Sequence, residues 1–426
     1  MYRISFNQII TIILLSLVVT TVSCREDSDD VKCYAYEDEL NFIEANSSLE
    51  GQFKAIWTAM NCNYPMWDYE EQQGLNWDKV YDEYLPRFKE LDKEYNATNP
   101  VPDSLVYELY DSIFAPLHDG HLYMYLKNIH TGKRIQHTIF PQIENDVDNI
   151  DPSESVYLDL SFMSREDFTE YVAAEYYAYA QFKDDIVYLK LPKFNLKDTF
   201  KERDSNESKD RICKLWESWF NCIQSLQSTG SLKGIIIDLR NNPGGSANDY
   251  QYVLGALHNG NYDNGRSHQV GYLREKSGIG RLDFSVLYPD VYPVYAKEHV
   301  TVEAPIVVLA NGNSASMAEI TTLSAKQLKN GYVIGTKTYG AFSPLLEAVY
   351  AFTYAGSVGD VSLYFAPFFI KIPRAAYLSL DGQFMDGVGV EPNEIVRLDY
   401  SELRNNRKDN QLDRALEYIR TKKDEQ

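Results

Sequence analysis

The stretch "PIVVLANGNSASMAEITTL", residues 305–323, decides the fold. Pro305 to Ala310 is a short, continuous apolar run of strand type, the composition of a strand buried on both faces. Asn311-Gly312-Asn313 breaks the run, and the residues after Ser316 read as a helix. A buried strand that turns through a small polar corner into a helix is a unit of an α/β sheet. The corner carries two serines, Ser314 and Ser316. Serine at a helix start is an ordinary cap. The same place offers free backbone N–H groups and the positive end of the helix dipole, which stabilise an oxyanion in acyl transfer. Residue type alone leaves both readings open.

"GIIIDLRNNPGG", residues 234–245, repeats the pattern. Gly234 to Leu239 is apolar except for Asp238, and Asn241 to Gly245 form the corner. Two glycines there let the backbone approach a ligand and aim N–H groups at it, although Asn-Pro and Gly-Gly also make plain turns. Ligands of open α/β sheets sit outside the carboxyl ends of strands, so "NNPGG" and "NGNSAS" are expected to face one crevice.

The flanking segments extend this pattern. "DDIVYLKLPKF" (184–194) reads as a strand. Residues 208–228 read as an amphipathic helix with Ile212, Leu215, Trp216, Trp219, Ile223 and Leu226 on one face, a core-packing stripe. "GYVIGTKTYG" reads as a short strand and turn, "VSLYFAPFFIKIP" as a long strand, and "DNQLDRALEYIRTKK" as a terminal helix. Residues 34–118 read as mostly helical, with a turn cluster at "YNATNPVPDS", and "DGHLYMYL" switches the period to that of a strand. Residues 127–183 read as irregular, acidic and rich in tyrosine. The expected fold class is α/β (α+β), with a helical cap before a mixed sheet flanked by helices. The expected divisions are a signal at 1–23, an acidic tether at 24–33, helices at 34–118, a strand with an irregular insertion at 119–183, an α/β core at 184–400 and a final helix at 401–426.

The chain has 426 residues and a formal net charge of -21, which repels nucleic acid and anionic lipid head groups. Its first residues, "MYRISFNQIITIILLSLVVTTVSC", place one cation, Arg3, before an apolar stretch too short to span a bilayer comfortably. That pattern reads as a secretory signal. Its end resembles the lipobox of bacterial lipoproteins, which implies cleavage before Cys24 and acylation of its thiol. "REDSDD" after it resembles the acidic export signal of surface lipoproteins in Bacteroidetes-type bacteria. These resemblances imply an anchor in the outer membrane, facing outward or else the periplasm. Of the remaining cysteines, Cys213 and Cys222 fall about 180° apart on one helix and should not pair. Cys33 and Cys62 suit either a disulfide or free buried thiols.

A serine nucleophile needs a base. Among seven histidines, His121 stands at a helix-to-strand junction beside Gly120, and His118, three residues earlier, is its direct competitor.

Taken together, "GIIIDLRNNPGG", "PIVVLANGNSASMAEI" and "GYVIGTKTYG" resemble the C-terminal processing (tail-specific) serine peptidases and their tricorn-core relatives. The resemblance covers 119–125 and about 184–395. It implies a ClpP/crotonase-like core and a serine-type peptidase acting on peptides or unfolded segments. It implies Ser316, three residues before Glu319, as nucleophile, and an oxyanion hole at the N–H groups of Gly244 or Gly245 and Met317. The processing branch places a lysine where this chain has Ala341 and a glutamine where it has Leu345; Lys337 matches a different lysine. The Ser–Lys dyad is therefore absent, and 126–183 holds no convincing PDZ domain. The tricorn-like branch instead implies His121 as base and Asp386, in "DGVGVEP", as the acid that orients it, with Gly120 where that branch has a serine. Neither a metal nor an organic cofactor is implied. The rival reading is a surface protein that keeps this fold to bind peptide or glycan without catalysis.

Overall fold

The two apolar runs that lack a polar face, 234–238 and 306–310, pair as parallel neighbours inside one sheet. The structure, a computed structural model, describes residues 42–139, 141, 155–278, 280–294, 298–344 and 367–422. The expectations for Cys24, Cys33 and Leu345 lie outside the described residues.

Five helices open the described chain: α1 (Phe42–Ser47), α2 (Leu49–Asn63), α3 (Trp67–Gln72), α4 (Trp77–Glu94) and α5 (Asp103–Phe114). Strand β1 (Tyr123–Leu126) follows. Then come α6 (Ser155–Met163), β2 (Phe168–Ala174), β3 (Tyr177–Phe182), β4 (Ile186–Lys190), α7 (Leu196–Lys201), α8 (Glu207–Thr229) and β5 (Gly234–Asp238). Next are β6 (Ser267–Glu275), β7 (Tyr288–Pro293), β8 (Ile306–Ala310), α9 (Met317–Gln327) and β9 (Gly331–Gly335). The chain closes with β10 (Phe368–Lys371), β11 (Ala375–Ser379), β12 (Glu394–Ile395), α10 (Tyr400–Asn406) and α11 (Asn410–Lys422).

The main sheet has the order β12-β9-β8-β5-β4-β3-β2. Its strands from β12 to β4 are parallel, and β3 and β2 add an antiparallel edge. Alternation explains the apolar runs. Ile235, Ile237, Ile306 and Val308 point into the core shared with α8 and α9, while Ile236, Val307 and Leu309 meet Leu412, Leu416 and Ile419 of α11. No position in β5 or β8 faces water, so none needs to be polar. Asp238 is no exception, because Arg240 holds it at 2.6 Å and reaches Asp409, just before α11, at 2.7 Å. That buried triad fastens α11 to the sheet.

A second core joins the N-terminal helices to the antiparallel β1–β10 ribbon and to β11. β11 also pairs with β6, and β6 with β7, in a three-stranded sheet. Two expectations change. Residues 155–182, read as irregular, form α6, β2 and β3. The long strand expected at 361–373 has described residues only from 367, and there β10 stops at Lys371. Pro373 supplies no N–H, and the chain turns at Arg374, whose N–H goes to Pro344 O, before β11 begins.

Candidate active site

The corners after β5 and β8 are tied to each other. Asn241 N–H donates to Asn311 Oδ1 at 2.9 Å, Asn311 Nδ2 donates back to Asn241 Oδ1 at 2.9 Å, and Ala315 N–H donates to Asn242 O at 2.9 Å. Ser314 is consumed by this lock: its hydroxyl donates to Leu239 O at 2.8 Å and accepts from Asn311 N at 3.0 Å. Fully buried, it has no face toward a substrate.

Ser316 behaves differently. Its backbone sits at φ +55, ψ -119. The residues that cap other helices of this chain with their side chains, Ser48, Asn76, Asn206 and Asp399, have φ of -144, -117, -143 and -81. A positive φ at a non-glycine residue costs on the order of 1–3 kcal/mol and persists only where neighbours enforce it. Here Glu319 enforces it. Glu319 Oε2 accepts from Ser316 N at 3.0 Å and Ala341 N at 2.7 Å, and Oε1 accepts from Gly340 N and Thr338 Oγ1, both at 2.6 Å. Burial pushes this carboxyl up to about 7 against the pull of those donors. One buried side chain thus clamps the start of α9 to the 338–341 turn.

Gly244 lies flush against the serine. A Cβ there would come within 2.7 Å of Ala315 O and Ser316 Cβ and 2.8 Å of Met317 N, and its φ is +94. Its own N–H is taken by Asn242 Oδ1 at 2.8 Å. Among the described residues no acceptor holds the N–H of Gly245 or Met317. Of the three N–H groups expected at an oxyanion hole, the geometry leaves Gly245 and Met317 available and withdraws Gly244 to a scaffolding part.

His121 reaches this place through Gly120, which packs on the 339–341 turn; a Cβ at 120 would meet Ala341 Cβ at 2.6 Å and Tyr339 Cε1 at 2.8 Å. A serine at 120 has no room. Asp119 Oδ1 fixes the backbone around His121, accepting from His121 N at 2.8 Å and Leu122 N at 3.0 Å. His121 Nδ1 and Asp119 Oδ2 are both buried with no hydrogen-bond partner among the described residues. Burial, then the Lys371 charge, lower His121 to about 4, and the Ser343 backbone opposes them.

Asp386 does not touch the imidazole. Oδ1 accepts from Phe342 N and Ser343 N, both at 2.9 Å, and Oδ2 accepts from Ser343 Oγ at 2.5 Å. The orienting contact expected from Asp386 is not among its hydrogen bonds, because the Phe342 and Ser343 N–H groups and the Ser343 hydroxyl occupy the carboxylate. No hydrogen bond links His121 to Ser316 Oγ; such contacts are often long before substrate arrives. His118 is engaged elsewhere: Glu70 of α3 accepts from its N–H at 2.8 Å and meets its Nδ1 at 2.9 Å. Lys337 faces Glu391 at 3.7 Å, and Ala341 offers only its backbone.

A family model, Peptidase family S41, matches residues 185–396. That stretch belongs to peptidase family S41. The S41 region holds Ser316, Glu319, Gly244, Gly245 and Asp386, whereas His121 is contributed by the chain before it. The chain is 28% identical over 175 residues to a carboxy-terminal-processing protease of Bartonella bacilliformis, covering 41% of this chain and 33% of that protein. It spans about a third of the length of the curated relatives it matches. Its fold is similar to that of a candidate peptidase from Parabacteroides merdae (TM-score 0.60, 18% identity, 88% of this chain and 97% of that one). It is also similar to mature CPAF (TM-score 0.52, 12% identity, 84% and 94%).

Sequence reasoning missed the clamp. Glu319 served only to mark Ser316, yet a serine followed three residues later by glutamate is a capping-box pattern and signals that the carboxylate returns to the serine N–H. Asn242, Asn311 and Ser343 carried no signal, since asparagine and serine in a turn are unremarkable until their partners are known.

Proposed function

We propose that this protein is a serine peptidase that cleaves peptides or unfolded segments through an acyl-enzyme. Ser316 Oγ attacks the peptide carbonyl carbon while His121 accepts its proton. The oxyanion lies toward the N–H groups of Gly245 and Met317. The C–N bond then breaks as His121 returns the proton to the leaving amine, and water releases the acyl group by the same route. Asp119 and the Asp386–Ser343 pair hold the loops that place His121. The observation that carries this reading is the enforced positive φ of Ser316, which capping does not require.

One observation favours the rival reading of a binding module: among the described residues no carboxylate meets the imidazole at its Nδ1. Casein turnover by residues 25–426 separates the two. A peptidase loses turnover in Ser316→Ala and His121→Ala; a binding module shows none in any form.

The same proposal places the chain on the bacterial surface, anchored in the outer membrane by a lipid on Cys24. The support is the apolar segment ending at Thr21-Val22-Ser23-Cys24. Among the described residues no helix is long and apolar enough to cross a membrane. Metabolic labelling with an alkyne fatty acid tests the anchor: incorporation lost in Cys24→Ala supports it, and none in the wild type refutes it.

A further inference from the structure

Three buried carboxyls neighbour one another at the segment that carries His121: Glu70 of α3, Asp119 and Asp386. Two of them are engaged at both oxygens. Glu70 Oε1 accepts from the Tyr64 hydroxyl at 3.0 Å and from His118 N at 2.8 Å, and its Oε2 meets His118 Nδ1 at 2.9 Å. Asp386 is filled by Phe342 and Ser343. Asp119 is only half used. Its Oδ1 takes the N–H groups of His121 and Leu122, while its buried Oδ2 has no partner among the described residues.

The unfilled oxygen lies beside an unfilled nitrogen. Oδ1 rests on the backbone N–H of His121, so Oδ2, on the same carbon, is held at that residue too. Nδ1 is the ring nitrogen nearer the backbone, and it is also buried without a partner among the described residues. Each group left unpaired in the interior costs free energy that their pairing recovers. Burial, then the charge of Asp386, raise the Asp119 carboxyl, and an Nδ1–H directed at Oδ2 opposes both. Gly120 between them is wedged against Ala341 and Tyr339, so the backbone is fixed and the pairing is a rotation of side chains.

We propose that Asp119 is the positioning residue of the base: its Oδ2 accepts the hydrogen bond from His121 Nδ1–H and keeps the Nε2 lone pair free for the Ser316 proton. That is the part the family resemblance assigns to Asp386. No proton passes to Asp119; the Ser316 proton goes to Nε2 and from there to the leaving amine. The proposal rests on the peptidase reading for what Nε2 does, but the pairing itself needs neither substrate nor turnover.

Asp119→Asn separates this role from a structural one. Its Oδ1 still serves the two backbone N–H groups, which leaves the NH2 where Oδ2 was. An NH2 there donates to Nδ1 and drives the ring proton to Nε2, the tautomer that cannot accept from Ser316. Residues 25–426 carrying isotope-labelled histidine are examined at pH 7 by long-range proton–nitrogen correlation NMR, with His121 assigned through His121→Gln. The expected result is the Nδ1–H tautomer in the wild type and in Asp386→Asn, and the Nε2–H tautomer in Asp119→Asn, with far-UV circular dichroism unchanged in the last. Fluorophosphonate labelling of Ser316 should slow on the order of 10³-fold in Asp119→Asn. The same tautomer in the wild type and Asp119→Asn overturns the proposal and leaves the Ser343 backbone, which also acts on the ring, as the acceptor. A switch caused by Asp386→Asn alone overturns it in favour of Asp386. A protein that shows the tautomer switch but takes no label refutes the peptidase reading and keeps the pairing, so the two failures are distinguishable.

Discussion

Glu319→Gln removes one acceptor oxygen from the clamp without changing its size. Two oxygens now serve four donors: Ser316 N, Ala341 N, Gly340 N and Thr338 Oγ1. A glutamine keeps one oxygen and points an NH2 group at the other pair. In one orientation the NH2 faces Ser316 N and Ala341 N, and both are orphaned. In the other it faces Gly340 N and Thr338 Oγ1. The hydroxyl, which already accepts from Val390 N at 2.7 Å, can accept again, but its own hydrogen then lacks an acceptor and Gly340 N is orphaned. At least one buried N–H is lost in either case. At about 1–3 kcal/mol for each orphaned group, the cost is roughly 2–6 kcal/mol. Urea unfolding followed by tryptophan fluorescence measures it, with an unchanged slope showing that the native state is still compact. Because the clamp also enforces the φ of Ser316, reaction with a fluorophosphonate should slow on the order of 10²-fold. Stability within about 0.5 kcal/mol of wild type, together with an unchanged labelling rate, refutes the clamp.

Other perturbations follow from the same geometry. Gly244→Ala forces a Cβ into Ala315 O, Ser316 Cβ and Met317 N at φ +94; the positive φ alone costs about 1–2 kcal/mol, and probe labelling should fall sharply with it. Ser314→Ala strips a partner from Leu239 O and from Asn311 N; it should lose roughly 1–3 kcal/mol in urea unfolding while Ser316 still labels. His121 and His258 are both lowered from 6.5 to about 4 by burial. Their contribution to stability is complete above pH 6.5 and is lost as pH falls through about 4, so the unfolding midpoint should drop across that window and His258→Gln should flatten the slope. A base with this pKa also predicts that casein turnover keeps its plateau well below pH 6.5, where an unperturbed histidine would already be protonated.

The strands that build the site were legible because burial on both faces leaves no polar position in β5 or β8. The α8 stripe was legible for the converse reason, an apolar face at helical spacing that meets the core. Residues 155–182 hid their order. β2 is an edge strand with most of its positions at least partly exposed, and β3 is built from tyrosine and alanine, which mark neither period clearly. At the site, spacing pointed to the serine corner and the glycine corner, since strand, turn and helix start are local, while the choice of Ser316 over Ser314 came from the family resemblance. It did not separate Gly244 from Gly245. That distinction depends on the Asn242 side chain accepting one N–H. Nor did it say what Asp386 would hold, because its partners Phe342 and Ser343 lie more than forty residues away in the chain and meet it only after folding. The parallel pairing of β8 with β9, the 338–343 loop and the Gly120 contact together decide that geometry.

The central claim is that Ser316 is an activated nucleophile and Ser314 a structural hydroxyl. The direct test is to treat folded residues 25–426 with a fluorophosphonate and locate the adduct by peptide mass spectrometry. The account predicts one adduct, on Ser316, that is absent in Ser316→Ala, greatly reduced in His121→Ala and retained in Ser314→Ala. No adduct on the folded wild type, or an adduct that persists in Ser316→Ala, contradicts it.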